Sequence, residues 1–131
     1  MKILIIDGQG GRVGRLLIEA LRARLPQAEI TAVGTNAMAT QAMLKAGPHH
    51  SATGENSVVV CCRSAQLIVG PLGIVLADAV AQSPAQRLLL PFDQCSTRIA
   101  GMPALSMSRL VEQAVEDICR WAAQQPCPAA L

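Results

Sequence analysis

The sequence predicts an α/β fold, a mostly parallel sheet with helices on both faces. Three observations predict it. The chain opens on a continuous apolar, β-branched-rich run, Ile3-Leu4-Ile5-Ile6, of the kind carried by a central parallel strand covered on both sides. A glycine cluster follows at once and leads into a stretch whose apolar residues recur at three- and four-residue spacings. Short apolar runs and helical stretches then alternate to residue 124, and strands alternating with helices join into one sheet through right-handed crossovers.

Taken in order, residues 2–6 are the first strand and residues 8–14 turn the chain. Residues 12–25 form an amphipathic helix on Val13, Leu16, Leu17, Ala20, Leu21 and Leu25, and Pro26 stops it. Residues 29–33 read as a second strand. Gly34-Thr35-Asn36 is a turn whose Thr or Asn caps a helix over 37–46, with Ala39, Ala42, Met43 and Ala46 on one face and Gly47 as its stop. Residues 48–56 read as a polar connection, longer than the typical roughly 4–6 residues.

Residues 57–62 have strand propensity, yet only four residues separate them from Leu67-Ile68-Val69, so two strands there would have to be antiparallel. A helix over 56–65 resolves this, because Val58, Cys61, Cys62 and Ala65 share helical spacing and residues 53–56 offer N-cap chemistry. A strand over 67–70 follows. Gly70-Pro71-Leu72-Gly73 then opens a helix to about Gln82, with Pro71 in its first turn. Residues 88–90 are a further buried strand, 97–100 a shorter one, and 107–124 a long helix with Leu110, Val111, Ala114, Val115, Ile118 and Trp121 on one face. The expected organisation is one domain over 1–125 and a loose tail over 126–131, where prolines break the helix.

Composition bounds the function. At 131 residues, 51% hydrophobic and 15% charged, the chain suits a single well-packed domain and not a disordered one. The net charge of +2 comes from eleven scattered Lys and Arg with no cluster that would follow a phosphate backbone, so no nucleic acid and no anionic membrane surface is expected as partner. Phe92 and Trp121 are the only aromatics, which leaves little for base stacking. The first apolar run is too short for a secretion signal or a membrane span, and five cysteines form no disulfide framework, so a cytoplasmic protein with reduced thiols is expected.

The segment with chemistry in it is Asp7-Gly8-Gln9-Gly10-Gly11-Arg12-Val13-Gly14, set between a buried strand and an amphipathic helix. Gly8 permits a tight turn, Gly10 and Gly11 let backbone N–H groups approach an anion, and Gly14 lets the helix pack close to the strand. A small phosphate-bearing ligand is the expected partner; a ligand-free turn is the competing reading. The loop, with Arg12-Val13-Gly14-Arg15, resembles the dinucleotide loop of dihydrodipicolinate reductases over about the first 20 residues. A wider resemblance is to the bacterial family catalogued as domain of unknown function thirty-eight forty-two. It is carried by Ile6-Asp7-Gly8-Gln9-Gly10-Gly11, Gly34-Thr35-Asn36, Met43-Leu44-Lys45-Ala46-Gly47, Ala52-Thr53-Gly54-Glu55-Asn56, Gly70-Pro71-Leu72-Gly73-Ile74-Val75 and Leu90-Pro91 with Cys95. That resemblance implies a Rossmann-like fold and no settled activity.

The expected cofactor site therefore comprises Gly8, Gln9, Gly10, Gly11, Arg12, Val13 and Gly14, with Gly34, Thr35 and Asn36 at the adenosine end and Gly70 and Pro71 from a third loop on the same rim. No acidic residue ends the second strand to hold a ribose, so NAD or NADP both remain open. Arg12 can reach a second phosphate, though Arg12 and Arg15 also read as a solvated helix face. Asp7, Glu55 and Cys95 are the candidates for chemistry, though Glu55 reads more readily as a first-turn carboxylate stabilised by its helix. Metal binding is not expected: His49 and His50 are adjacent and divergent, and no Cys-x-x-Cys occurs. Two functional readings follow. One is a nucleotide-binding protein whose site is completed in a homodimer, formed through the last helix. The other is a non-enzymatic metabolite sensor or assembly subunit. Gly11→Asp is expected to abolish nucleotide binding with the fold intact.

Overall fold

The computed structural model describes residues 1–72, 74, 78–91 and 106–126. Its strands are β1 (Lys2–Asp7), β2 (Glu29–Gly34), β3 (His50–Thr53), β4 (Leu67–Pro71) and β5 (Gln86–Leu90), and its helices are α1 (Arg12–Arg24), α2 (Ala37–Leu44), α3 (Glu55–Cys62), α4 (Asp78–Gln82) and α5 (Met107–Gln124). All five strands pair in parallel, in the order β3-β2-β1-β4-β5. This is the Rossmann-like order over its first five strands, in which the chain steps outward from β1 to β3 and then crosses back to β4.

β1 is central because its side chains are apolar on both faces. Ile3 and Ile5 enter one core with Val13, Leu17, Ile18 and Leu21 of α1, Met43 of α2 and Leu110, Val111, Val115 and Ile118 of α5. Leu4 and Ile6 enter the other, with Val58 and Cys62 of α3, Ile68, and Val80 of α4. Alternation along a strand produces this division, and each fully buried Ile or Leu contributes about 1.5–3 kcal/mol relative to exposure. The same alternation turns Asp7 toward α1. Among the described residues no helix is long and apolar enough to cross a membrane.

The helix over 55–62 and the long last helix lie where their periodicity puts them. Three expectations need correction. The polar connection over 48–56 contains β3, an edge strand whose His50 and Ser51 are exposed; it pairs with β2 from Thr31↔His50 to Gly34↔Thr53. A four-residue strand with little apolar content leaves no period to read. Pro71 ends β4 opposite Leu90, where the strand's last residue needs no donor; Leu72 and Ile74 follow in a 3-10 turn, and α4 covers Asp78–Gln82 among the described residues. The N-cap of α3 is Gly54, with no side-chain cap bond, while Thr53 accepts from the Ser57 hydroxyl through its carbonyl. The expected strand over 97–100 lies outside the described residues, as does the tail beyond Pro126.

Candidate functional site

At the carboxyl end of β1 the chain reverses tightly: the Gly11 N–H donates to the Gly8 carbonyl at 3.0 Å. Gln9 has φ 44° and Gly11 φ 67°, both left-handed, and a Cβ on Gly11 would lie 2.4 Å from the Ala39 carbonyl oxygen of α2. Glycine is required at 11 on both counts. Gly14 is required for a different reason. Its added Cβ would lie 2.4 Å from Met43 Sδ and 3.0 Å from Asp7 Cβ, so the missing side chain is what lets α1 close on β1 and α2. Gly10 differs from both, being exposed with nothing within 4 Å of its added Cβ.

Asp7 is wholly buried beneath this loop. Gly8 N–H donates to its Oδ1 at 2.8 Å and Gly14 N–H to its Oδ2 at 2.7 Å. Gly11, the N-cap of α1, has no side chain to cap with, and the first turn contains no acidic residue. Asp7 supplies that cap from the preceding strand, satisfying donors that a helix start leaves open. Burial raises its carboxyl from 3.8 to about 6, against the opposing pull of the Gly14, Gly8 and Val13 N–H groups.

The expected loops do converge on one rim. Asp7 is level with Gly34 across β1 and β2, the Thr35 N–H donates to the Asp7 carbonyl at 3.0 Å, and the Gly54 N–H to the Gly34 carbonyl at 2.9 Å. Gly70 presses on β1 so closely that a Cβ would meet the Ile6 carbonyl oxygen at 2.3 Å. The rim therefore carries Gly8, Gly34, Thr35, Gly70 and Pro71 side by side at the crossover between β1 and β4, with Glu55 exposed on the first turn of α3 beyond Gly34.

Within that set, roles divide. Gln9, Gly10 and Arg12 face solvent, and no described residue accepts from their backbone N–H groups. Val13 is fully buried core, and the Gly14 amide points inward to Asp7. Asn36 caps α2, its Oδ1 accepting from Ala39 N–H at 2.9 Å. Cys95 lies outside the described residues. Thr40, which sequence reasoning passed over, is buried behind the turn: its hydroxyl contacts the carbonyls of Asn36 and Ala52 at 3.2 Å and Thr53 Oγ1 at 2.7 Å, tying α2 to β3. The only sequence signal was its place four residues after an N-cap.

Other groups are structural. His49 Nδ1 accepts from Ile30 N–H at 3.0 Å while His50 Nε2 lies 3.0 Å from Glu29 Oε1, so the two rings diverge. Burial pushes the Cys61 and Cys62 thiols up, away from the reactive thiolate. The apolar face of α5, the helix expected to form a dimer, packs on α1 and the sheet within the chain; among the described residues the exposed large apolar ones are Met38 and Leu44 of α2 and Val59 and Val60 of α3.

A protein-family model described as domain of unknown function (DUF3842) matches residues 2–123, and the chain belongs to that family. No curated protein matches the sequence at a significant level. Among solved structures, the dodecameric FMN-dependent UbiX-like decarboxylase of Escherichia coli O157:H7 is similar with a TM-score of 0.58 and 15% identity, covering 100% of this chain and 98% of that one. An NADPH-dependent quinone oxidoreductase from Escherichia coli has a TM-score of 0.49 and 16% identity, covering 92% of this chain and 42% of that one. A nucleoside-diphosphate-sugar epimerase from Pseudomonas aeruginosa has 0.49 and 14%, covering 94% and 45%. The first likeness establishes the shared α/β fold.

Proposed function

We propose that this family member binds a nucleotide, of the NAD, NADP or flavin class, with its phosphates against residues 9–12. The observation that supports this most is the position of the glycine loop at the crossover between β1 and β4, where open α/β sheets receive their ligands. The solvent-facing backbone of Gln9, Gly10 and Arg12 offers donors there, and Arg12 adds a charge. Thr35 is the ribose-side candidate, since Asn36 is occupied by its own helix. That the UbiX-like decarboxylase sharing this fold is FMN-dependent agrees with the class without choosing within it.

A second reading, an assembly subunit or sensor without catalysis, is favoured by Asp7, which sets a carboxyl on the Gly8 and Gly14 amides directly beneath the loop, and by the exposed apolar residues on α2 and α3. Either reading accommodates a homo-oligomer, which we place on those helices and not on α5. The separating experiment is a thermal-shift titration with NAD, NADP, their reduced forms, FMN, AMP, ATP and inorganic phosphate. A ligand at about 100 times its Kd adds roughly 2.7 kcal/mol to the native state. A selective rise in Tm with one nucleotide supports the first reading, and no rise with any of them supports the second.

A further inference from the structure

The glycine loop carries an anion of its own. The buried Asp7 carboxylate takes the amides of Gly8 and Gly14 at 2.8 and 2.7 Å, at the end of α1 where the helix field is positive. Among the described residues no cation shares the burial. On α1, Arg12 and Arg15 are exposed and Arg15 pairs with Glu19 at 2.9 Å; β2 has its one titratable residue, Glu29, at the far end, level with Lys2; α2 and the β4 segment have none. Among the described residues, backbone donors alone compensate this charge.

Building on the nucleotide reading above, we propose that Asp7 is a resident competitor for the phosphate loop, so that a phosphate-bearing ligand binds against its charge and gains affinity when Asp7 takes up a proton. The transfer is from solvent to one carboxylate oxygen, whose new O–H no longer accepts as the carboxylate did, so its bond to one of the two amides weakens. The field of α1 is thereby returned to the ligand on residues 9–12. Since burial already holds the Asp7 carboxyl near 6, a small further rise on binding moves it into the physiological range.

NAD is a suitable probe, because its diphosphate diester does not titrate in this range. Calorimetric titration of the full chain at about pH 5.5 and about pH 8 is expected to show tighter binding at the acid value, about tenfold for each pKa unit by which bound NAD raises Asp7. In Asp7→Asn the affinity should be the same at both. Carbon-13 titration of the wild-type Asp7 carboxyl with and without NAD gives the answer with no variant: NAD must raise its midpoint. Equal wild-type affinity at both pH values, or a pH dependence that persists in Asp7→Asn, overturns the competition and leaves the nucleotide reading standing. No NAD binding by wild type or variant at either pH overturns both for this ligand class.

Discussion

Asp7 Oδ2 accepts the Gly14 N–H at 2.7 Å, so the carboxylate that ends β1 caps the first turn of α1 from seven residues upstream. This bond makes strand, loop and helix one unit. Burial of the carboxyl, outweighing that bond, makes the unit sensitive to pH in a direction opposite to that of a salt-bridged carboxylate. The folded state holds the Asp7 proton more tightly than the unfolded chain does, at about 6 against 3.8, so stability is greatest at the acid end, falls as pH rises through that window, and is flat above it. The difference corresponds to roughly 3 kcal/mol. Urea unfolding of wild type and Asp7→Asn between about pH 4 and about pH 7 should show the wild type losing on the order of that amount relative to the variant. A constant difference between the two would refute the assignment.

Gly14→Ala should destabilise by about 1–3 kcal/mol, because the new methyl meets the fully buried Met43 and must displace it, and the helix-propensity gain of at most ~1 kcal/mol does not offset this. The check is a double-mutant cycle with Met43→Ala. Vacating the sulfur should recover part of the loss, giving a coupling of about 0.5 kcal/mol or more; strictly additive effects would mean that Gly14 is not packed as described.

Thr40→Val keeps shape and removes a hydroxyl that touches two carbonyls and Thr53 Oγ1. The expected cost is about 1–2 kcal/mol. It should be local, appearing in hydrogen exchange as loss of protection at Gly54, whose amide holds the β3 exit to Gly34, with the β1 amides unchanged. Uniform loss across the sheet would contradict that.

How much of this was legible follows from where periodicity exists. α1 and α5 declare themselves by apolar residues at helical spacing, and β1 by a run that is apolar on both faces. β3 has neither signal, because an exposed edge strand of His50-Ser51-Ala52-Thr53 owes its conformation to pairing with β2. Pro71 was misread because Gly-Pro signals a turn locally, while its burial between neighbouring strands is a tertiary fact. The rim itself was readable from the glycines. That Asp7 would occupy the loop's amides was not, since a carboxylate's partners depend on which face of β1 it takes and on α1 closing over it.

The glycines of the loop separate fold from function, and they do so differently from the sequence expectation for Gly11→Asp. Gly11 is left-handed and abuts the Ala39 backbone, which cannot yield as a side chain can, so any residue there should cost at least about 2 kcal/mol and confound a binding assay with unfolding. Gly10 is the position to use. It has no left-handed φ and open space around it, so Gly10→Asp should leave urea-unfolding stability within about 0.5 kcal/mol of wild type. The new carboxylate would stand among the amides of residues 9–12 and repel a phosphate, weakening the best nucleotide of the thermal-shift panel by tenfold or more, about 1.4 kcal/mol. A stable Gly10→Asp protein that binds that nucleotide as wild type does would move the phosphate site off this loop.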